Sequence, residues 1–251
     1  MPRVAVVMTY FNRQRQLIRT LRSFNKYDPD DFEVIIVDDG STDREKLILP
    51  RFEFDIRIIR ITNKSWIQGD PAWNIGFAQA LKHDPEIIML QNAECVHSGD
   101  VLGYAIDTLT ERKYISFGCY SLRAGDPFRV LNMRHVDYDG DNAWYNHPDI
   151  WPCGYHFCSA ITTENLIKLN GFDERFRNGI GYDDDDFLRR VVNLGLNVEI
   201  TYDPIVFHQW HKPSVYNETA SMNRDLYLEL CKNKEIKAVH EVTNDLCRVA
   251  Q

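Results

Sequence analysis

Val4-Ala-Val-Val-Met-Thr-Tyr-Phe-Asn12 and, further on, Glu33-Val-Ile-Ile-Val-Asp-Asp-Gly-Ser-Thr-Asp43 share one design. Each opens as a short run of apolar, β-branched residues and closes on polar ones. The apolar runs read as buried strands. Asp38–Asp43 is a cluster of turn formers. Between the two, apolar residues recur at Leu17, Ile18, Leu21 and Phe24, the spacing of an amphipathic helix. Two buried strands separated by a helix predict a parallel pair joined by a right-handed crossover. In such sheets ligands bind beyond the carboxyl ends of the strands.

The pattern continues outward. Arg57–Ile61 reads as a third strand, Trp73–Leu81 as a helix and Glu86–Leu90 as a fourth strand. Polar segments at the strand ends, Thr9–Asn12, Asp38–Asp43 and Gln91–Glu94, thus mark a site location. Beyond them come a helix over Val101–Leu109 and strands over Tyr114–Tyr120 and Arg129–Arg134. A loop rich in Asp, Asn, Trp and His spans Asp137–Pro152. His156–Thr162 reads as a strand, and Glu164–Leu169 as a short helix stopped at Gly171. Asp183–Leu194 is a stronger helix, with acids in its first turn and Gly195 after it. Val198–Tyr202 and Ile205–Phe207 read as short strands and Ser221–Val242 as a helical tail. The expected class is α/β, with a mostly parallel central sheet flanked by helices.

Composition sets limits. The 251 residues carry 29 Lys+Arg against 37 Asp+Glu, a net charge of −8. That excludes a nucleic-acid binder relying on bulk positive charge. With 44% hydrophobic and 26% charged residues, the chain is an ordinary globular one. An acidic chain that handles phosphates needs a metal ion or local amides to do so. The six cysteines are scattered without a Cys-x-x-Cys pair, so reduced thiols in a cytoplasmic setting are expected. The N-terminal apolar run is too short for a signal-peptide core. No stretch approaches the ~18 apolar residues of a membrane span, although peripheral membrane contact stays open.

Several motifs offer chemistry, each beside a plainer reading. Asp38-Asp39 can accept hydrogen bonds from a pyrimidine N–H or from ribose hydroxyls, or simply make a turn and cap a helix. Glu94, the acid of Gln91-Asn-Ala-Glu94, can ligate a hard divalent cation on a diphosphate, or be a loop acid. Asp183–Asp186 is either a solvated first turn or a cluster containing a general base. An imidazole of His208-Gln-Trp-His211 can complete a metal site with Glu94, or belong to an ordinary surface histidine. Cys153, His156 and Cys158 lack the second pair a zinc finger needs.

Taken in order, these segments resemble the family 2 glycosyltransferases of the GT-A fold. The resemblance rests on Val4–Asn12, Val37-Asp-Asp-Gly-Ser-Thr-Asp43, Asn74-Ile-Gly-Phe-Ala78, Asn170-Gly-Phe-Asp-Glu-Arg-Phe176 with Gly181-Tyr-Asp-Asp-Asp-Asp-Phe-Leu-Arg189, and Val206-Phe-His208. It implies a GT-A domain over residues 1–215, with a nucleotide-binding half near 1–97, an acceptor-binding half near 98–215 and a helical extension over 216–251. It also implies inverting transfer of a sugar from a nucleotide diphosphate donor, usually UDP-linked, to a hydroxyl acceptor, carbohydrate or other. The implied donor residues are Thr9, Tyr10, Asp38, Asp39, Asn74 and Asn92. The implied base is Asp184, with Asp183 and Gly181 on the acceptor side; Trp151, in a region without a family counterpart, is a further acceptor candidate because an aromatic ring can stack on a sugar, or else pack in the core. Glu94, His208 and His211 are the implied ligands of Mn²⁺ or Mg²⁺.

Two positions depart from that pattern. Asn92-Ala93-Glu94 lacks the first acid of the family's Asp-x-Asp motif, and Trp73 stands where a basic residue often precedes the helix Asn. The first departure keeps open a non-catalytic binding relative. A sugar nucleotidyltransferase is the third reading, against which stands Thr9-Tyr-Phe-Asn-Arg13 in place of a Gly-rich phosphate loop.

Overall fold

The computed structural model describes residues 2–42, 47–124, 144–212 and 220–249. The strand read at Arg129–Arg134, the loop residues before Trp144 and Asp43 lie outside them.

Strands β1 (Val4–Tyr10), β2 (Phe32–Asp38), β3 (Asp55–Arg60) and β4 (Ile87–Gln91) form the first half of one sheet. They run parallel in the order β3-β2-β1-β4. Their alternation feeds two core layers. Val4, Val6 and Met8 pack in the layer with Leu17 and Leu21 of α1 (Gln14–Arg22) and Val101 and Ala105 of α3 (Val101–Thr108). Ala5 and Val7 pack in the opposite layer with Trp73 and Phe77 of α2 (Asp70–Ala80). Each fully buried Val, Ile or Leu in these layers stabilises the fold by roughly 1.5–3 kcal/mol. Helix α2 lies directly on the sheet because residue 76 is glycine: a Cβ there would sit 2.5 Å from Val7 Cγ1.

The second half is mixed. Beyond β4 come β8 (Cys158–Thr162), β6 (Lys113–Ser121), β9 (Asn197–His208) and β5 (Cys95–Ser98), with β7 (Trp144–Asn146) on β6. β8 is antiparallel to β4 and to β6, β6 is parallel to β9, and β5 is antiparallel to β9. Helices α4 (Thr163–Leu169) and α5 (Asp183–Asn193) close the layer that holds α2. The two strands read at 198–207 are one strand, β9, whose register against β6 shifts between Phe117 and Gly118. The tail helix α6 (Ala220–Leu230) stops well short of Val242, and a short α7 (Leu246–Val249) follows an irregular segment. No described helix is long and apolar enough to cross a membrane. All six cysteines are unbridged.

Candidate active site

The order β3-β2-β1-β4 puts the carboxyl ends of β1, β2 and β4 side by side. A pocket of about 600 Å³ opens there, lined by Thr9, Tyr10, Asp39 and Asn92, with Asp39 toward one side and Glu94 in its wall. Asp38 turns inward and holds the loop: its Oδ1 accepts from Ser41 N at 2.9 Å, and Arg60 Nε lies 3.7 Å from Oδ2. Asp39 faces the pocket. Its Oδ2 accepts from Lys64 Nζ at 2.6 Å and its Oδ1 from Trp66 Nε1 at 2.9 Å. Burial raises the Asp39 carboxyl above its ordinary value despite the Lys64 ammonium.

Glu94, His208 and His211 meet, their ligand atoms all within 4.8 Å of one another. Both imidazole Nε2 atoms lie 3.4 Å from Glu94 Oε1, and Arg13 Nη1 reaches the same oxygen at 2.6 Å. Burial works to raise the Glu94 carboxyl, but hydrogen bonds from His208 and His211 and the Arg13 charge together hold it well below the usual range. Strand pairing brings this set together: Cys95, next to Glu94, is paired with His208 across β5 and β9. One carboxylate and two imidazoles are a donor set that suits a transition-metal dication such as Mn²⁺ better than Mg²⁺, which prefers oxygen ligands. His208 Nδ1 is buried and has no hydrogen-bond partner among the described residues, so the ring is oriented from its Nε2 side, by Glu94, alone.

The four consecutive acids of α5 have four different surroundings. Asp186 is buried and receives Arg189 Nη2 at 2.6 Å and Arg190 Nε at 2.7 Å, a structural ion network. Asp185 accepts from Tyr155 Oη at 2.6 Å. Asp184 keeps 34% of its side chain exposed and touches His156 Nδ1 through Oδ1. Asp183 is buried, its Oδ1 has no partner, and its carboxyl is pushed up to about 6 by desolvation and by Asp184. Gln68, which lines the pocket, hydrogen-bonds Asp183 and so joins this cluster to the cleft. Behind them Asp70, at the start of α2, is fully buried with neither oxygen partnered; desolvation, then the charge of Asp183, raises it well above the ordinary range. Burial is the largest single influence and works to lower the His156 imidazole, but the charge and hydrogen bond of Asp184 together with the charge of Asp183 hold the ring above its usual value. Trp73 and Phe172 pack edge-on to that ring at 5.1 and 4.9 Å.

One residue expected at the ligand, Asn74, is turned into the core. Asn74 is fully buried, donates to Phe172 O at 2.9 Å and Glu174 Oε1 at 3.0 Å, and accepts from Phe172 N at 2.8 Å. Its amide is spent on joining α2 to the Asn170–Phe176 segment, so it has no group left for a nucleotide. Trp73 is likewise a core residue, stacked on Phe77 and Phe172. Gly181 sits just before α5 with a positive φ of 75° and its carbonyl held by Asn223. Trp151 is 57% exposed and pairs through its backbone with His147. Its neighbour in the same segment, Tyr145, packs 5.0 Å from His208. Cys153 turns to Tyr145 O, Cys158 faces His97 and His156 faces Asp184, so the three form no zinc site.

Arg13, Lys64 and Trp66 line the pocket and His156 holds Asp184, and none of the four carries a motif. Arg13 directly follows the β1 loop, and that adjacency was its one signal. Lys64 and Trp66 fall in the aperiodic stretch before α2, and His156 gains its role only when β8 lies against α2 and α5.

The GT-A architecture is shared with known sugar transferases. S. aureus TarS 1-349 in complex with UDP-GlcNAc aligns with a TM-score of 0.64 and 16% identity over 90% of this chain and 65% of that one. The mannosyltransferase PcManGT from Pyrobaculum calidifontis, in complex with GDP-Man and Mn²⁺, gives 0.53 and 17% over 90% and 62%. The catalytic domain of Drosophila beta1,4galactosyltransferase 7 with xylobiose gives 0.57 and 12% over 98% and 84%. The chain thus spans 60–65% of the length of the TarS 1-349 chains it matches. The profile described as Glycosyl transferase family 2 matches residues 5–167, and one described as N-terminal domain of galactosyltransferase matches residues 154–212. The chain belongs to glycosyl transferase family 2. Among curated protein sequences none matches it.

Proposed function

We propose that this chain is an inverting glycosyltransferase that moves a sugar from a UDP-linked donor to a hydroxyl of a carbohydrate or other acceptor. One observation carries the reading: the pocket that holds Asp39 also has in its wall Glu94 of a metal-competent triad, and its lining residue Gln68 hydrogen-bonds Asp183, next to the half-buried, imidazole-backed carboxylate of Asp184. Structures of the same fold hold UDP-GlcNAc in one case and GDP-Man with Mn²⁺ in another.

Thr9, Tyr10, Asp39 and Asn92 line the space for the nucleoside. Glu94, His208 and His211 would hold the divalent cation, which supplies charge neutralisation for the departing diphosphate. Arg13, on Glu94 at 2.6 Å, is within reach to add its own charge there, in place of the cation missing at Trp73. The acceptor oxygen forms its bond to the anomeric carbon as the bond to the diphosphate breaks on the opposite face. Its proton passes to Asp184, and the bonding electrons leave with the nucleotide. His156 holds one oxygen of Asp184, leaving the other for the acceptor. Asp183 lies beside it to orient that acceptor. Holding both substrates in line supplies much of the rate. The triad provides three ligands without the missing first acid, which weighs against a purely binding role.

The test is a screen of UDP- and GDP-sugars with Mn²⁺ and carbohydrate acceptors, detecting nucleotide release. In the productive pair, Asp184→Asn is expected to keep UDP affinity within about 3-fold while losing roughly 100-fold or more in transfer. Near-normal transfer by that variant would remove Asp184 from the role of base.

A further inference from the structure

Charge is sorted along this chain. Residues 1–27 hold five Arg and one Lys but no acid, where 37 acids in 251 residues would place about four. Acids resume at Asp28, past the end of α1. Arg15, Arg19 and Arg22 are all exposed. Standing four and then three residues apart, they form one stripe along the outer face of α1. The opposite face, with Leu17 and Leu21, is buried in the core. Lys26 follows the stripe in sequence but is held by the carbonyls of His97 and Gly99.

Helix stability does not account for the stripe. Arg19 and Arg22 suit the negative end of the helix dipole. Arg15 opposes the positive end, in a first turn that carries no acid. Like charges three and four residues apart also repel one another. No carboxylate among the described residues pairs with Arg15 or Arg22. Apolar side chains flank the same helix. Ile48, 67% exposed, donates its N–H to Gln14 Oε1 at 3.5 Å. Trp210, 51% exposed, accepts from Gln16 Nε2 at 3.4 Å through its carbonyl. Gln14 and Gln16 lie on opposite sides of Arg15 around the helix.

We propose that the outer face of α1 docks on a bilayer surface of anionic phospholipid. The three guanidinium groups meet lipid phosphates, which they match in charge and in hydrogen-bond geometry. Ile48 and Trp210 enter the headgroup boundary, where an indole, apolar with one polar edge, is favoured. A soluble polyanion would use the arginines and leave Ile48 in water, so the apolar flanks favour the bilayer. Phe11 and Arg13, which line the pocket, adjoin the start of α1, so docking brings the pocket mouth beside the headgroups. Docking of this kind is reversible and does not depend on sugar transfer.

The experiment is co-sedimentation of the purified chain with two kinds of vesicle: phosphatidylcholine alone, and phosphatidylcholine with an equal part of phosphatidylglycerol. Binding to the mixed vesicles is expected to be about 10-fold or more tighter than to the neutral ones, and to be lost at about 0.5 M salt. Arg15→Gln combined with Arg22→Gln should weaken it about 10-fold, with a melting temperature near wild type. Ile48→Ser, at an exposed position, should weaken it about 3-fold or more. Absence of binding to the mixed vesicles, or equal binding by the paired arginine variant, overturns the proposal. Binding to heparin without binding to vesicles, or an Ile48→Ser variant that binds vesicles like wild type, also overturns it and assigns the stripe to a soluble polyanion.

Discussion

Asp183 and Asp184 are adjacent in sequence and opposite in setting. Asp184 is exposed on one side and held by His156, while Asp183 is buried with an unpartnered oxygen. Desolvation, then Asp184, lifts the Asp183 carboxyl from 3.8 to about 6. An acid whose folded value exceeds its unfolded one binds more protons when folded. Its stability contribution therefore falls as pH rises from about 4 to about 6, and the cost persists above that. Asp183→Asn should thus stabilise the protein by about 1–3 kcal/mol at pH 8, with the gain fading toward pH 4, as read by melting temperature across pH. A gain independent of pH would show that ionisation of Asp183 is not its source. At this scale much of the proposed site was legible in the sequence. Asp39, Glu94, Asp184 and His208 stand out because strand ends and an acid-led helix mark them. Asn74 misled because a polar residue at a helix start looks the same whether it faces a ligand or, as here, bonds Phe172 and Glu174 in the core. Lys64 and Trp66 could not be singled out, since their importance lies in meeting Asp39 across more than twenty residues of intervening chain.

Among elements, the segment before α5 is the joint of the molecule. Glu174 is fully buried; its Oε2 accepts from the backbone N–H groups of Glu241, Val242 and Thr243 at 2.7, 2.6 and 3.2 Å. Its Oε1 takes the Asn74 amide. Asn170 adds bonds to Ala238 O and from Leu246 N. These contacts explain why the tail departs from the helix read through Val242. Val239 gives its N–H to Asp173 and Glu241, Val242 and Thr243 give theirs to Glu174 rather than to a helical turn, and no periodicity within the tail encodes a distant acceptor. Glu174→Ala should strand these donors and cost about 3 kcal/mol or more, seen as a lower denaturation midpoint and early hydrogen exchange over 238–246. Unchanged exchange there would mean the tail is held by its apolar contacts alone. The parallel strands β1, β2 and β4 were legible because burial on both faces leaves an unbroken apolar run. β5 and β7 were not, being too short for any pattern to register. β9 was read as two strands because Tyr202-Asp-Pro204 interrupts its apolar run while its pairing with β6 continues past the interruption.

At the scale of the whole molecule, the net charge of −8 becomes local. Asp39 and Glu94 line one pocket, paired with Lys64 and Arg13, and Asp183 and Asp184 stand behind its lining residue Gln68. Such a cleft repels a nucleotide diphosphate unless a dication bridges the two, so donor binding and metal binding are one event in this account. The fold gathers the residues this proposal needs: the β1 and β4 loops supply Arg13 and Glu94, and β9, paired with β5, supplies His208 beside them. The direct measurement is a calorimetric titration of UDP into the chain with Mn²⁺ and again in excess EDTA, repeated on Glu94→Gln. UDP affinity is expected to be about 30-fold or more higher with Mn²⁺ in the wild type, with most of that gain lost in Glu94→Gln. UDP binding equally tight in EDTA, or a metal effect untouched by Glu94→Gln, would contradict it.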